Sequence, residues 1–197
     1  MKRLSVFLVS ILMLVGCQSA TDQAMKVIDD SVKKDETALV ALSELTVKEE
    51  TFLKLVDELL IQAEDDFAKA SSMLPETLDV LTEMNNVLES QEKVLTLSET
   101  QEKELSQLVE GLEGEVSTLV TSFLSYKTYL TQYLALKLEV NHHYEAFLTS
   151  IKADMPFKEI EKMLASLNQA LRTTTEVYQE YETSAYEFSA NYELIKK

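Results

Sequence analysis

Apolar residues recur along this chain at steps of three and four, and the strict alternation expected of β-strands is missing, so the pattern predicts long amphipathic helices. The middle part carries the strongest line. From Leu105 it runs through Val109, Leu112, Val116, Leu119, Phe123, Tyr126, Leu130, Tyr133, Lys137, Val140, Tyr144 and Phe147 to Ile151, and only Lys137 interrupts it. A sustained 3.5-residue period predicts coiled-coil-like packing. At 1.5 Å per residue the line is about 70 Å long, which makes a rod. Ile160, Leu164, Leu167, Leu171, Thr174, Tyr178, Tyr181, Ala185, Phe188, Tyr192 and Ile195 repeat the spacing in the last part. The first part is rougher. Ile28, Val32, Leu39 and Leu42 lead into Leu45, Phe52, Val56, Leu59, Ala63, Phe67, Ala70 and Leu74, with a slip of register between Leu42 and Leu45 that predicts a bend or a local change of partner.

Pro75 and Pro156 are the natural punctuation, since proline suits the first turn of a helix and not its interior. They divide the chain after residue 17 into 18–74, 75–155 and 156–197. Thr96 and Ser98, followed by Glu99 and Gln101, offer capping-box chemistry and place a turn or kink near residue 98, so residues 76–152 form one helix or two. Gly111 and Gly114 fall between seam positions, where glycine softens a long helix. The connection around Asp154-Met155-Pro156 folds the last two helices into an antiparallel hairpin, in which residues whose numbers add to about 309 face each other. Tyr126, Tyr129 and Tyr133 then lie opposite Tyr178 and Tyr181, with Phe123 near Tyr186 and Phe188. The expected fold is all-α, an elongated antiparallel bundle of three to four helices.

Composition adds where the chain resides. Lys2 and Arg3 precede an apolar run from Leu4 to Val15 that ends in Leu14-Val15-Gly16-Cys17, the arrangement of a bacterial lipoprotein signal. The run is too short for a comfortable membrane span, which needs about 20 residues. The expectation is a signal peptide over 1–16, a lipidated Cys17 with a short tether over 17–24, and one helical domain over 25–197. The lipid is diacylglycerol on the sulfur, with an acyl chain such as palmitate on the new N-terminus; two or more chains are needed for firm anchoring. Cys17 is the one cysteine, so an exported fold rests on packing with no intrachain disulfide.

The chain carries a formal net charge of −16, and loss of Lys2 and Arg3 would make it two units more negative. Such a surface repels nucleic acid and anionic lipid headgroups. Acidic clusters at Asp29-Asp30, Glu49-Glu50 and Glu64-Asp65-Asp66 lack the spaced loop and glycine of an EF-hand and read as solvated helix faces. His142 and His143 are the two histidines. Glu139-Val140-Asn141-His142 spells one Glu-x-x-His motif, but carboxylate-bridged di-metal bundles need two, so no metal or other non-covalent cofactor is expected. A weak site built from Glu139, His142 and His143 is the alternative. Nothing positions a serine nucleophile, no glycine loop cradles phosphate, and a rod poor in glycine has few loops for a glycan-cleaving cleft. A non-enzymatic role is expected.

All eight tyrosines follow residue 125. Tyr126, Tyr129, Tyr133, Tyr178, Tyr181, Tyr186 and Tyr192 form the candidate interaction surface, in competition with a plain core role. The stretch from Tyr178-Gln-Glu-Tyr181 through Tyr186-Glu-Phe188-Ser-Ala-Asn191-Tyr192-Glu-Leu194-Ile-Lys196, with the cysteine anchor and the acidic helical body, resembles the YkyA-type cell-wall-binding lipoproteins of Gram-positive bacteria. The resemblance implies no catalytic residues. It implies a lipid-anchored protein on the extracytoplasmic face of the cell membrane, with a structural or binding role toward the wall or an envelope protein. Dimerisation along exposed seams is a competing use of the same stripes, and an extracytoplasmic metal or small-ligand carrier is the alternative function.

Overall fold

A computed structural model describes residues 19–152 and 156–196 of the chain. Among them are five helices: α1, Ala20–Asp65; α2, Phe67–Leu95; α3, Glu99–Val109; α4, Gly114–Lys152; and α5, Phe157–Lys196. They form the four legs of an all-α bundle, because α2 and α3 share one leg. Lys127 and Lys137 of α4 reach Asp35 and Glu49 of α1 in the same order, so these legs run parallel. Tyr133 meets Tyr178, and Phe123 meets Phe188, so α4 and α5 are antiparallel. The legs run up, down, up and down from a base near residue 20. At 1.5 Å per residue the 46 residues of α1 span about 70 Å.

Each break has a local cause. Ser19 caps α1 by accepting the Asp22 N–H at 3.1 Å, and Asp22 adds a negative charge to the positive end of the helix. Asp66 alone separates α1 from α2. Its backbone is extended, and its carboxylate accepts the Lys69 N–H at 3.1 Å. The boundary is therefore at Asp66, and the division expected at Pro75 is corrected: Pro75 lies inside α2. It is exposed there, so the carbonyl that loses its N–H partner need not be buried. The capping box expected at Ser98 is present, with the Gln101 side chain returning to the Ser98 N–H. Gly111 and Gly114 do not soften a long helix. They lie in or beside the turn between α3 and α4, where Gly114 takes φ +62, a left-handed conformation that suits glycine. Residues 76–152 thus hold most of α2 and all of α3 and α4.

The expected slip at Leu42–Leu45 is absent. The inward line of α1 is Ala24, Ile28, Ser31, Asp35, Ala38, Leu42, Leu45, Glu49, Phe52, Val56 and Leu59, an unbroken alternation of four and three. It looked broken because Ser31, Asp35 and Ala38 are polar or small. Helix α1 also begins at Ala20, inside the segment expected as a tether, and Ala24 is fully buried. One core continues from Ala24 to Phe188. Helix α4 is its centre and carries a second inward line beside the first: Val120, Lys127, Leu134, Asn141 and Leu148, all buried. Asn141 on this line donates to the Asn85 side chain of α2 at 2.7 Å.

Candidate functional site

In a four-legged bundle every leg ordinarily packs against two neighbours. Here α1 packs on α2, α2 on α4, and α4 on α5, but no Cα of α1 comes within 8 Å of one in α5 among the described residues. The fourth seam is held by side chains alone. At the base, Asp29 accepts the Tyr192 hydroxyl at 2.8 Å and the Lys196 ammonium at 2.7 Å. Higher up, α1 is tied to α4 instead: Asp35 accepts the Lys127 ammonium at 2.5 Å and the Tyr126 hydroxyl at 3.3 Å. Lys127 also donates to the Leu95 carbonyl at 2.8 Å, which satisfies the end of α2 and places a cation at its negative pole.

Beyond these contacts the seam opens into a cavity of about 330 Å³. Tyr133, Lys137, Val140 and Tyr144 of α4 form its floor. Phe52 and Leu53 of α1 make one wall, and Leu171, Thr175 and Tyr178 of α5 the other. The polar groups are largely paired among themselves. Lys137 is ion-paired with Glu49 and sits 5.5 Å from the centre of the Tyr133 ring. The Thr174 and Thr175 hydroxyls donate to carbonyls one turn earlier, at 2.8 and 2.9 Å. The Tyr178 hydroxyl hydrogen-bonds to Glu182, which together with burial pushes its pKa up to about 12. Burial, with the negative charge of Asp57, raises that of Tyr144. Phe52 and Tyr144 meet edge to face at 5.1 Å. Such a lining suits the binding of an apolar body, with few polar groups left to orient it.

The candidate tyrosines divide into three groups. Tyr126, Tyr133, Tyr181 and Tyr192 belong to an aromatic ladder with Phe123 and Phe188 along the α4–α5 seam. Tyr133 stacks on Tyr181 at 5.8 Å, and Tyr126 on Phe188 at 5.2 Å. Tyr126 is buried and is core, not surface. Tyr178 contacts the ladder and is 37% exposed in the cavity wall. Tyr186 is 77% exposed and Tyr129 is half-buried, and neither lines the cavity. Glu139 and His143 lie 3.7 Å apart, His142 is exposed, and no group of three or more metal-ligating side chains occurs among the described residues. Two acidic clusters are more than solvated faces, since Asp29 and Glu49 each bind a lysine across the bundle.

Sequence reasoning missed Asp35 and Lys127. The available signal was positional: Asp35 occupies an inward place on a regular line, and Lys127 lies seven residues from Val120 and Leu134. Cys17, the expected lipidation site, lies outside the described residues. No helix among the described residues is long and apolar enough to cross a membrane. Comparison of the chain with protein-family models, with curated proteins and with solved structures gives no match.

Proposed function

We propose that the protein is a lipid-anchored rod that presents its open seam away from the membrane, with a non-catalytic docking role toward the wall or an envelope protein on the extracytoplasmic face. The position of the cavity along the rod carries this reading. Cys17 precedes the first residue of α1 by three positions, so a lipid there lies within about 10 Å of the base. The residues of α1 beside the opening, Glu49 to Leu53, lie about 45–50 Å further along the helix. A membrane anchor at one end and an apolar opening toward the other is the geometry of a spacer that displays a binding face. The signal pattern before Cys17 and the resemblance to wall-binding lipoproteins support the same reading.

The test has two arms. In detergent phase separation, the protein made in an exporting bacterium partitions into the detergent phase, and Cys17→Ser moves it to the aqueous phase. In cosedimentation with purified sacculi across salt and Mg²⁺ concentrations, the detergent-solubilised protein pellets saturably, and Tyr178→Ala weakens pelleting. Aqueous partitioning of the unaltered protein overturns the anchor. Absence of pelleting moves the partner from the wall to an envelope protein.

A second reading, a metal or small-ligand carrier, is favoured by one observation: Glu139 and His143 line a separate surface depression between α4 and α5, together with Ser166 and Gln169. It requires stoichiometric Zn²⁺ or Mn²⁺ binding by calorimetry, abolished in His143→Ala.

A further inference from the structure

We infer that the open α1–α5 seam takes an amphipathic helix with basic flanks from an envelope protein, seated as a fifth helix of the bundle. The inference rests on the proposed reading only for where the partner resides; the seam itself supplies its chemistry. The walls repeat every seven residues. Leu53 of α1 and Leu171 and Tyr178 of α5 line the cavity, and the seven-residue interval continues each wall to Leu60 and Leu164; all five are between 37 and 47% exposed. Large apolar side chains at that interval are the pattern by which one helix receives another, and fourteen residues of α5 correspond to a trough of about 21 Å. The trough exists because the bundle lacks its fourth helix–helix seam.

Charge selects the kind of helix. Continuing the same steps of four and three along both walls adds Glu50 and Asp57 on α1, and Asn168, Thr175 and Glu182 on α5, with no basic residue on either line. Lys137 on the floor is neutralised by Glu49. A helix carrying lysine or arginine beside its apolar stripe is therefore drawn in, and an acidic one is repelled. The same rule disfavours a second copy of this chain, at net charge −16, and an anionic lipid surface. A glycan fits less well, because its hydroxyls need donors and acceptors, whereas the seam's threonines and its lysine are already paired.

The test uses the full chain in nanodiscs of zwitterionic lipid, with empty nanodiscs as blank. The probe is a fluorescein-labelled synthetic helix of three heptads, with leucine at the two inward places and lysine beside them. Fluorescence anisotropy is expected to rise saturably. Affinity falls about tenfold or more when glutamate replaces the lysines, and when the same residues are shuffled out of heptad register. Leu171→Asn in the protein weakens binding about tenfold, while Val47→Asn, at an exposed apolar position off the groove lines, leaves it unchanged. Circular-dichroism melting of Val47→Asn is expected to match the parent, and that of Leu171→Asn, at a position 37% exposed, to stay cooperative with a small loss. No saturable binding, equal binding of the shuffled peptide, or equal binding by Leu171→Asn overturns the inference. Peptide binding by a protein that carries no lipid overturns the anchored reading and leaves the inference standing. Failure of the peptide alone, with lipidation and sacculus pelleting intact, does the reverse.

Discussion

Two carboxylates of α1, Asp29 and Asp35, hold the same kinds of partner and are shifted in opposite directions. Each accepts a tyrosine hydroxyl and a lysine ammonium from the α4–α5 hairpin. Asp29 sits at the open base, where burial works against its charge, but the hydrogen bonds from Lys196 and Tyr192 outweigh it and hold the carboxyl below the usual aspartate range. Asp35 is almost wholly enclosed, and burial there overcomes Lys127 and Tyr126 and pushes its carboxyl up. Burial pulls Lys127 down by the same mechanism. Pairing alone therefore does not decide whether an ion pair stabilises a fold; the water left around it does.

The largest test breaks the enclosed clamp. Lys127→Met leaves Asp35 buried without its counter-ion and the Leu95 carbonyl without its donor, and is expected to cost about 3–5 kcal/mol in chemical denaturation. Replacing both partners, Asp35→Leu with Lys127→Met, is expected to regain most of that loss, because the charge that had to be compensated is gone. Lys137→Met at the half-enclosed Glu49 pair is expected to cost about 1–2 kcal/mol. These values place the two lysine–carboxylate links in order of enclosure.

Acidification separates the two aspartates by sign. Asp29 titrates below its unfolded value, so its contribution is present above about pH 4 and is lost as pH falls through its folded pKa. Asp35 titrates above its unfolded value, so its contribution is full below about pH 4 and is lost as pH rises through its folded pKa. Denaturation curves between pH 3 and 6 are therefore expected to lose a component rising with pH in Asp29→Asn, and one falling with pH in Asp35→Asn. The smallest effects belong to exposed pairs. Lys196→Met is expected to leave the melting temperature close to the parent's. Lys48→Ala, which breaks a surface pair with Glu83, is expected to cost below about 0.5 kcal/mol. A large loss in either would dissolve the contrast between enclosed and open clamps.

Much of the bundle was readable in advance. The all-α class, the antiparallel α4–α5 hairpin and the Ser98 cap each depend on short-range spacing, and Phe123–Phe188 and Tyr133–Tyr178 meet within a residue or two of the expected register. Pro75 misled because an exposed face tolerates a missing hydrogen bond. The glycines misled because Gly114 ends its helical run through a left-handed backbone that no spacing rule reveals. The cavity was half-readable: Tyr133 and Tyr178 stood out, while Phe52, Tyr144 and Leu171 looked like ordinary core.

Periodicity is a property of one helix and needs no partner to be expressed, so the inward face of each helix is set along the chain, even where polar or small residues such as Ser31, Asp35 and Ala38 mask it. The acidic surface and the caps are set along the chain as well. That α1 and α5 do not close upon each other, and that Asp35 is enclosed while Asp29 stays near water, emerges only in the assembled bundle. Both follow from how separate helices are placed in space. The gap between two legs and the water around a charge are set by distances between residues far apart in the chain, such as Asp35 and Lys127, and no local pattern encodes those distances.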